Sequence, residues 1–109
     1  MQTGFSNPKT IDLITHDPKR DEFVLIIIHH GEWDGSTVEQ DLLLQKMNNY
    51  LHFILDGQLE RNYPHAAGKK LRFQIDCTSI PPEGINKLVA QADGQLMKNN
   101  IRVNVNLLK

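Results

Sequence analysis

Six consecutive apolar residues, Phe23-Val24-Leu25-Ile26-Ile27-Ile28, constrain this chain more than any other feature. All but Leu25 are β-branched or aromatic, the types that fit a pleated, half-buried surface. Six residues are far too few to cross a bilayer. A strand with one wet face alternates, whereas a run apolar on both parities fits a strand covered on both sides. The run therefore predicts a strand inside a sheet. Ahead of it, Ile11 to His16 alternates loosely, and Asp17-Pro18-Lys19-Arg20-Asp21 supplies turn chemistry, with Pro18 pre-setting φ. Together these segments predict a β-hairpin.

Downstream the period changes. Ser36 followed by Glu39 reads as a capping box, in which two orphan N–H groups are satisfied reciprocally. From there Leu43, Leu44, Met47, Tyr50, Leu51, Ile54 and Leu55 fall on one broad helical face, opposite Asp41, Gln45, Asn48, Asn49, His52 and Asp56. This helix ends near Gly57. Residues 58–70 form a polar connector with room for one more helical turn before Pro64. Leu71, Phe73, Ile75 and Cys77 then alternate with Arg72, Gln74, Asp76 and Thr78, a strand with one apolar face. Pro82 suits the first position of a second helix, whose stripe is Ile85, Leu88, Val89, Ala92 and Leu96. Asn99-Asn100 stops it, and Ile101, Val103, Val105 and Leu107 alternate along a last strand.

The order is ββαβαβ. Strands joined through a helix are parallel, with right-handed crossovers. Two such crossovers moving the same way put both helices on one face. The expected fold is α/β, an α+β two-layer sandwich: a four-stranded mixed sheet in order 1-2-3-4, with two helices on one face and its first strand antiparallel. Residues 1–10 read as a flexible leader and 11–109 as a single domain. A domain of this size buries roughly two-thirds of its unfolded surface, enough to fold without metal or disulfides.

Composition narrows the class. Twelve Lys and Arg against thirteen Asp and Glu give a net charge of -1, which argues against nucleic-acid binding and a polybasic membrane anchor. The polar N-terminus lacks the apolar core of a signal peptide, so the expected location is cytoplasmic. One cysteine, Cys77, allows no internal disulfide and no CxxC motif.

Two regions carry candidate chemistry. If Leu25 and Ile27 face the helices, Val24, Ile26 and Ile28 face away, and hairpin pairing sets Ile14 beside them. Asp12, Arg72, Gln74, Asp76, Arg102, Asn104 and Asn106 surround this patch, and apolar patches rimmed by polar groups mark contact surfaces. The competing explanation is a cover formed by the connector at 58–70 or by the leader. The second region is the rim beyond the carboxyl ends of the parallel strands, where open α/β sheets collect ligands. It gathers His30, Glu32, Trp33, Asp34 and Thr78, near two helix N-termini that favour anions. The rim lacks a Gly-rich phosphate loop. His29 and His30 point to opposite faces while extended, and HxH and HExxH spacings are missing, so no metal site is expected. Cys77 shares its face with Leu71, Phe73 and Ile75, which makes it a core residue with a raised pKa rather than a nucleophile.

The segments Ile11-Asp12-Leu13-Ile14, Val24 to Asp34 and Leu42 to Ile54 resemble a family of small bacterial proteins of unknown function. Its shared features are a D-x-I strand, an aliphatic strand ending in a Trp-containing segment, and an L-Q-x-K-x-N-x-Y-L helix. The resemblance implies a cytosolic bacterial protein with a ββαβαβ fold, and it transfers no catalytic residue. The expected function is a non-enzymatic interaction module, forming a homodimer or binding another protein through Ile14, Val24, Ile26, Ile28, Arg72 and Arg102. No cofactor is expected. The alternative is a small-ligand or metal-dependent site at the rim around His30, Glu32 and Trp33.

Overall fold

The apolar run forms the middle of an eight-residue strand, β2 (Glu22–His29), which hydrogen-bonds to a neighbour on each side. In the computed structural model, residues 11–108 are described; the leader expected at 1–10 lies outside the described residues. The elements are β1 (Leu13–Asp17), β2, α1 (Thr37–Leu55), α2 (Gln58–Asn62), β3 (Lys70–Cys77), α3 (Glu83–Leu96) and β4 (Ile101–Leu107). Short 3-10 turns at Pro64–Ala66 and Met97–Asn99 complete them. The sheet order is β1-β2-β3-β4, with β1 antiparallel and the other pairs parallel. This is the ββαβαβ α/β fold with a four-stranded mixed sheet. No helix among the described residues is long and apolar enough to cross a membrane.

Alternation along the strands decides what the helices cover. Register aligns Leu25 with Phe73 and Val103, and Ile27 with Ile75 and Val105, on one face of the sheet. Leu43, Met47 and Tyr50 of α1 and Ile85 and Val89 of α3 pack with them in one core. Each fully buried side chain of this size contributes roughly 1.5–3 kcal/mol relative to exposure. Leu44 and Leu55, expected on this face, are exposed instead. Burial follows the narrower stripe Glu39, Leu43, Lys46, Met47 and Tyr50, and so includes two charged residues.

The caps follow local chemistry with one change. Ser36 Oγ accepts the Glu39 N–H at 3.2 Å, as the capping box requires. The Glu39 carboxylate reaches past Ser36 to the N–H groups of Asp34 (3.1 Å) and Gly35 (3.2 Å). The Ser36 N–H donates instead to Asp34 Oδ1 at 2.7 Å. Hydrogen bonds from Ser36 hold the Asp34 carboxyl below the usual carboxylate range. Gly57, at φ 80°, turns the chain from α1 into α2, a left-handed conformation that costs glycine little. Pro82 is the N-cap of α3 rather than its first helical residue.

At the outer edge of β4, Asp93 of α3 closes part of the exposed backbone. Its Oδ1 accepts the Val103 N–H at 2.9 Å, and its two oxygens hold the Arg102 guanidinium at 2.8 and 2.9 Å. Arg102 and then the Val103 N–H hold this carboxyl down to about 2. Because the folded value lies below the unfolded one, the stabilisation is present above about pH 4 and is lost as pH falls toward 2. Asp93→Asn is expected to cost about 1 kcal/mol at pH 7, allowing for solvent screening, and to flatten stability between pH 4 and pH 2. Urea unfolding across that range checks it, and an unchanged acid limb removes Asp93 as its source.

Candidate functional site

The helix-free face is a grid set by register. Thr15, Val24, Arg72 and Arg102 form one row, and Leu13, Ile26, Gln74 and Asn104 the next; Ile28, Asp76 and Asn106 follow. Ile14 is not part of it. It pairs with Leu25 and packs against the core, while Leu13, 49% exposed, occupies the place beside Ile26. A shift of one residue changes the face of every side chain in a strand, so Asp12 also turns to the helix side.

Side chains on this face are locked to one another. Arg72 Nε donates to Glu22 Oε1 at 2.7 Å, and the same guanidinium donates to Asn104 Oδ1 at 3.0 Å. Gln74 Nε2 and Asn106 Nδ2 both donate to Asp76 Oδ1 at 2.9 Å. Glu22, Val24 and Ile26 are buried, the two aliphatics at 5% and 6% exposure, so the expected bare apolar patch is not found and a polar lattice lies beside them. The connector does not cover it. Leu59 and Ala66 belong to the core on the opposite side of the sheet, where Tyr63 meets Phe23 edge-on.

At the strand-end rim, the β2–α1 and β3–α3 loops are tied together. The Gly31 N–H donates to Thr78 Oγ1 (2.9 Å), Ser79 Oγ donates to the Gly31 carbonyl (2.7 Å), and Trp33 Nε1 donates to the Ser79 carbonyl (3.0 Å). Trp33 stacks on His29 with ring centroids 3.9 Å apart. Of the rim residues expected from sequence, Trp33 and Thr78 enter this network and Asp34 serves the α1 cap. His30 and Glu32 are exposed and hydrogen-bond to no described residue. His29 Nε2 lies 4.0 Å from the buried Glu39 carboxylate, a pairing the sequence reading missed. Asp34 and Glu39 bring their own carboxylates to the α1 N-terminus, where an anion would otherwise bind. Among the described residues no three His, Cys, Asp or Glu side chains gather as a metal site. Cys77 is buried, and that burial pushes its thiol up.

One charged cluster had no local signal. Lys46 Nζ lies 2.7 Å from Asp12 Oδ1, and neither side chain has any exposure. Asp12 Oδ2 accepts the Ile28 N–H at 2.9 Å. Tyr50, one turn beyond Lys46, donates its hydroxyl to the Ile26 carbonyl at 2.7 Å and accepts the Asp12 N–H at 3.0 Å. This clamp joins α1 to the hairpin where the β1–β2 ladder ends.

The molecule is thus a small α/β domain with one covered and one helix-free sheet face, whose strand-end loops are bonded to each other. Over residues 4–109 the chain matches the family of unknown function DUF6572, and it belongs to that family. No curated protein and no solved structure matches it.

Proposed function

We propose that the protein is a non-enzymatic interaction module that self-associates through the helix-free face of its sheet. The observation that carries this reading is the preordered lattice on that face: Glu22, Arg72 and Asn104 in one set, Gln74, Asp76 and Asn106 in the other. Side chains already held in one rotamer lose little entropy when a partner arrives. The exposed Leu13 and the half-buried Ile28 supply apolar contact beside them.

Charge supports a second copy as the partner. The hairpin-turn end of the face carries Arg20, Lys70 and Arg72 around Glu22 and Asp17, with Arg102 turned to Asp93, and the opposite end carries Asp76. A two-fold axis running across the strands lays each basic end over the other copy's carboxylate. Four strands by seven residues measure roughly 19 by 23 Å, a footprint of the small, transient class of interface. The rim alternative has less support, because most of its polar groups already bind one another.

Sedimentation equilibrium over a wide concentration range tests the reading. A monomer–dimer equilibrium weakened by salt is expected, and Leu13→Lys, at a position exposed enough to accept a charge, shifts it to monomer. A monomer at every concentration overturns self-association, and a dimer indifferent to Leu13→Lys moves the interface off this face.

A further inference from the structure

At the end of the core opposite the strand-end rim, the hairpin turn and the connector flank an open pocket of about 400 Å³ lined by His16, Asp21, Phe23, His65 and Lys69. Its position follows from register. His16 pairs with Phe23, so both side chains face the helix side at the first residues of β2, and their rings stand 5.0 Å apart. Tyr63 closes on Phe23 from the connector, with ring centroids at 6.3 Å. The wall is therefore largely aromatic.

The polar groups are arranged unevenly around that wall. Asp21, at φ 51°, holds the left-handed conformation that Asp tolerates better than most residues. One of its oxygens lies 3.0 Å from His16 Nε2 and the other 2.5 Å from Lys69 Nζ. Both oxygens of Asp21, the one carboxylate among the described lining residues, thus have a partner. An ammonium has three donors, and Asp21 takes one of those on Lys69. His65 hydrogen-bonds to no described residue. Asp21 balances the charge of Lys69, and the described lining still offers unused N–H donors on Lys69 and His65 beside an aromatic surface.

We propose that this cavity is a binding site for a small aromatic carboxylate, with the ring against Phe23 and the carboxylate on Lys69 and His65. The volume lies within the range of small-molecule pockets, and a few convergent polar groups on an apolar wall are their usual composition. A carboxylate gains a charge-assisted hydrogen bond from Lys69 that a neutral amide of the same shape does not. The site is separate from the helix-free face and stands or falls independently of self-association.

Titration of the isotope-labelled protein with benzoate and with indole-3-carboxylate, followed by amide and side-chain shifts, tests the proposal. Saturable shifts at Phe23, His65 and Lys69 are expected in the millimolar range, with benzamide binding about tenfold more weakly than benzoate. Lys69→Gln, at a partly exposed position, is expected to weaken benzoate about tenfold, while Lys70→Gln, on the helix-free face, leaves it unchanged. No saturable shift with either acid overturns the site. Equal binding of benzamide, or an unchanged affinity in Lys69→Gln, overturns the role of the charge.

Discussion

Lys46→Met and Asp12→Asn are each expected to lower the unfolding free energy by about 3 kcal/mol, and the double variant by clearly less than their sum. The reason is the environment of the pair. At 2.7 Å, with no exposure of either side chain, the two charges stabilise each other in a medium that screens them poorly. Taking both ions out of water costs several kcal/mol per ion, so the intact pair adds little net stability. Removing one partner leaves that cost uncompensated. Asp12→Asn keeps an oxygen for the Ile28 N–H but turns a dipole rather than a charge toward the ammonium. Lys46→Met fills the same space with apolar atoms and strands the carboxylate. With both replacements no ion remains to desolvate, and the Asn oxygen still serves Ile28. A double-mutant cycle by urea unfolding measures this coupling. Additive losses would mean that the pair is solvated in solution.

That pair also marks where sequence reading stops. Angular position on α1 puts Lys46 about 40° from Tyr50 and about 60° from Leu43, at the edge of the buried stripe. Its partner lies 34 positions away, at the entry to β1, and no local period connects them. The same strand shows a second boundary. Loose alternation at Ile11, Leu13 and Ile14 leaves two registers open, and the turn chooses between them. With Asp21 at positive φ, Asp17 pairs with Glu22 and Ile14 with Leu25. By contrast, β3 was legible residue by residue, because strict alternation from Leu71 to Cys77 admits one covered face. The apolar run of β2 was legible as a strand inside the sheet, and β2 pairs with β1 and β3, but apolar residues on both parities speak to the two faces, and no described helix covers the second. The rim was legible as a place and not as a network. Strand order collects His30, Trp33 and Thr78 at one end, but the bonds from Gly31, Trp33 and Ser79 depend on loop conformations that composition does not specify.

Phe73→Ala is expected to cost about 4 kcal/mol, a large part of the stability of a domain this size. Phe73 is fully buried at the centre of the sheet, between Leu25 and Val103, so the vacated volume has rigid strands on both sides and collapses poorly. Its ring also meets Tyr50 edge-to-face, with centroids 5.7 Å apart at 84°. That contact helps hold the Tyr50 hydroxyl between the Asp12 N–H and the Ile26 carbonyl. Burial raises the Tyr50 pKa above its ordinary value, so the hydroxyl remains a donor through the neutral range. Tyr50→Phe alone is expected to cost about 1–2 kcal/mol by leaving the Ile26 carbonyl without this donor. In the Phe73→Ala background the tyrosine ring is less fixed and its hydroxyl has less to lose, so the same substitution costs about 0.5–1 kcal/mol less. Chemical unfolding of the four variants measures that difference. Equal Tyr50→Phe costs in both backgrounds would show that the clamp is positioned by α1 alone, without help from the sheet beneath it.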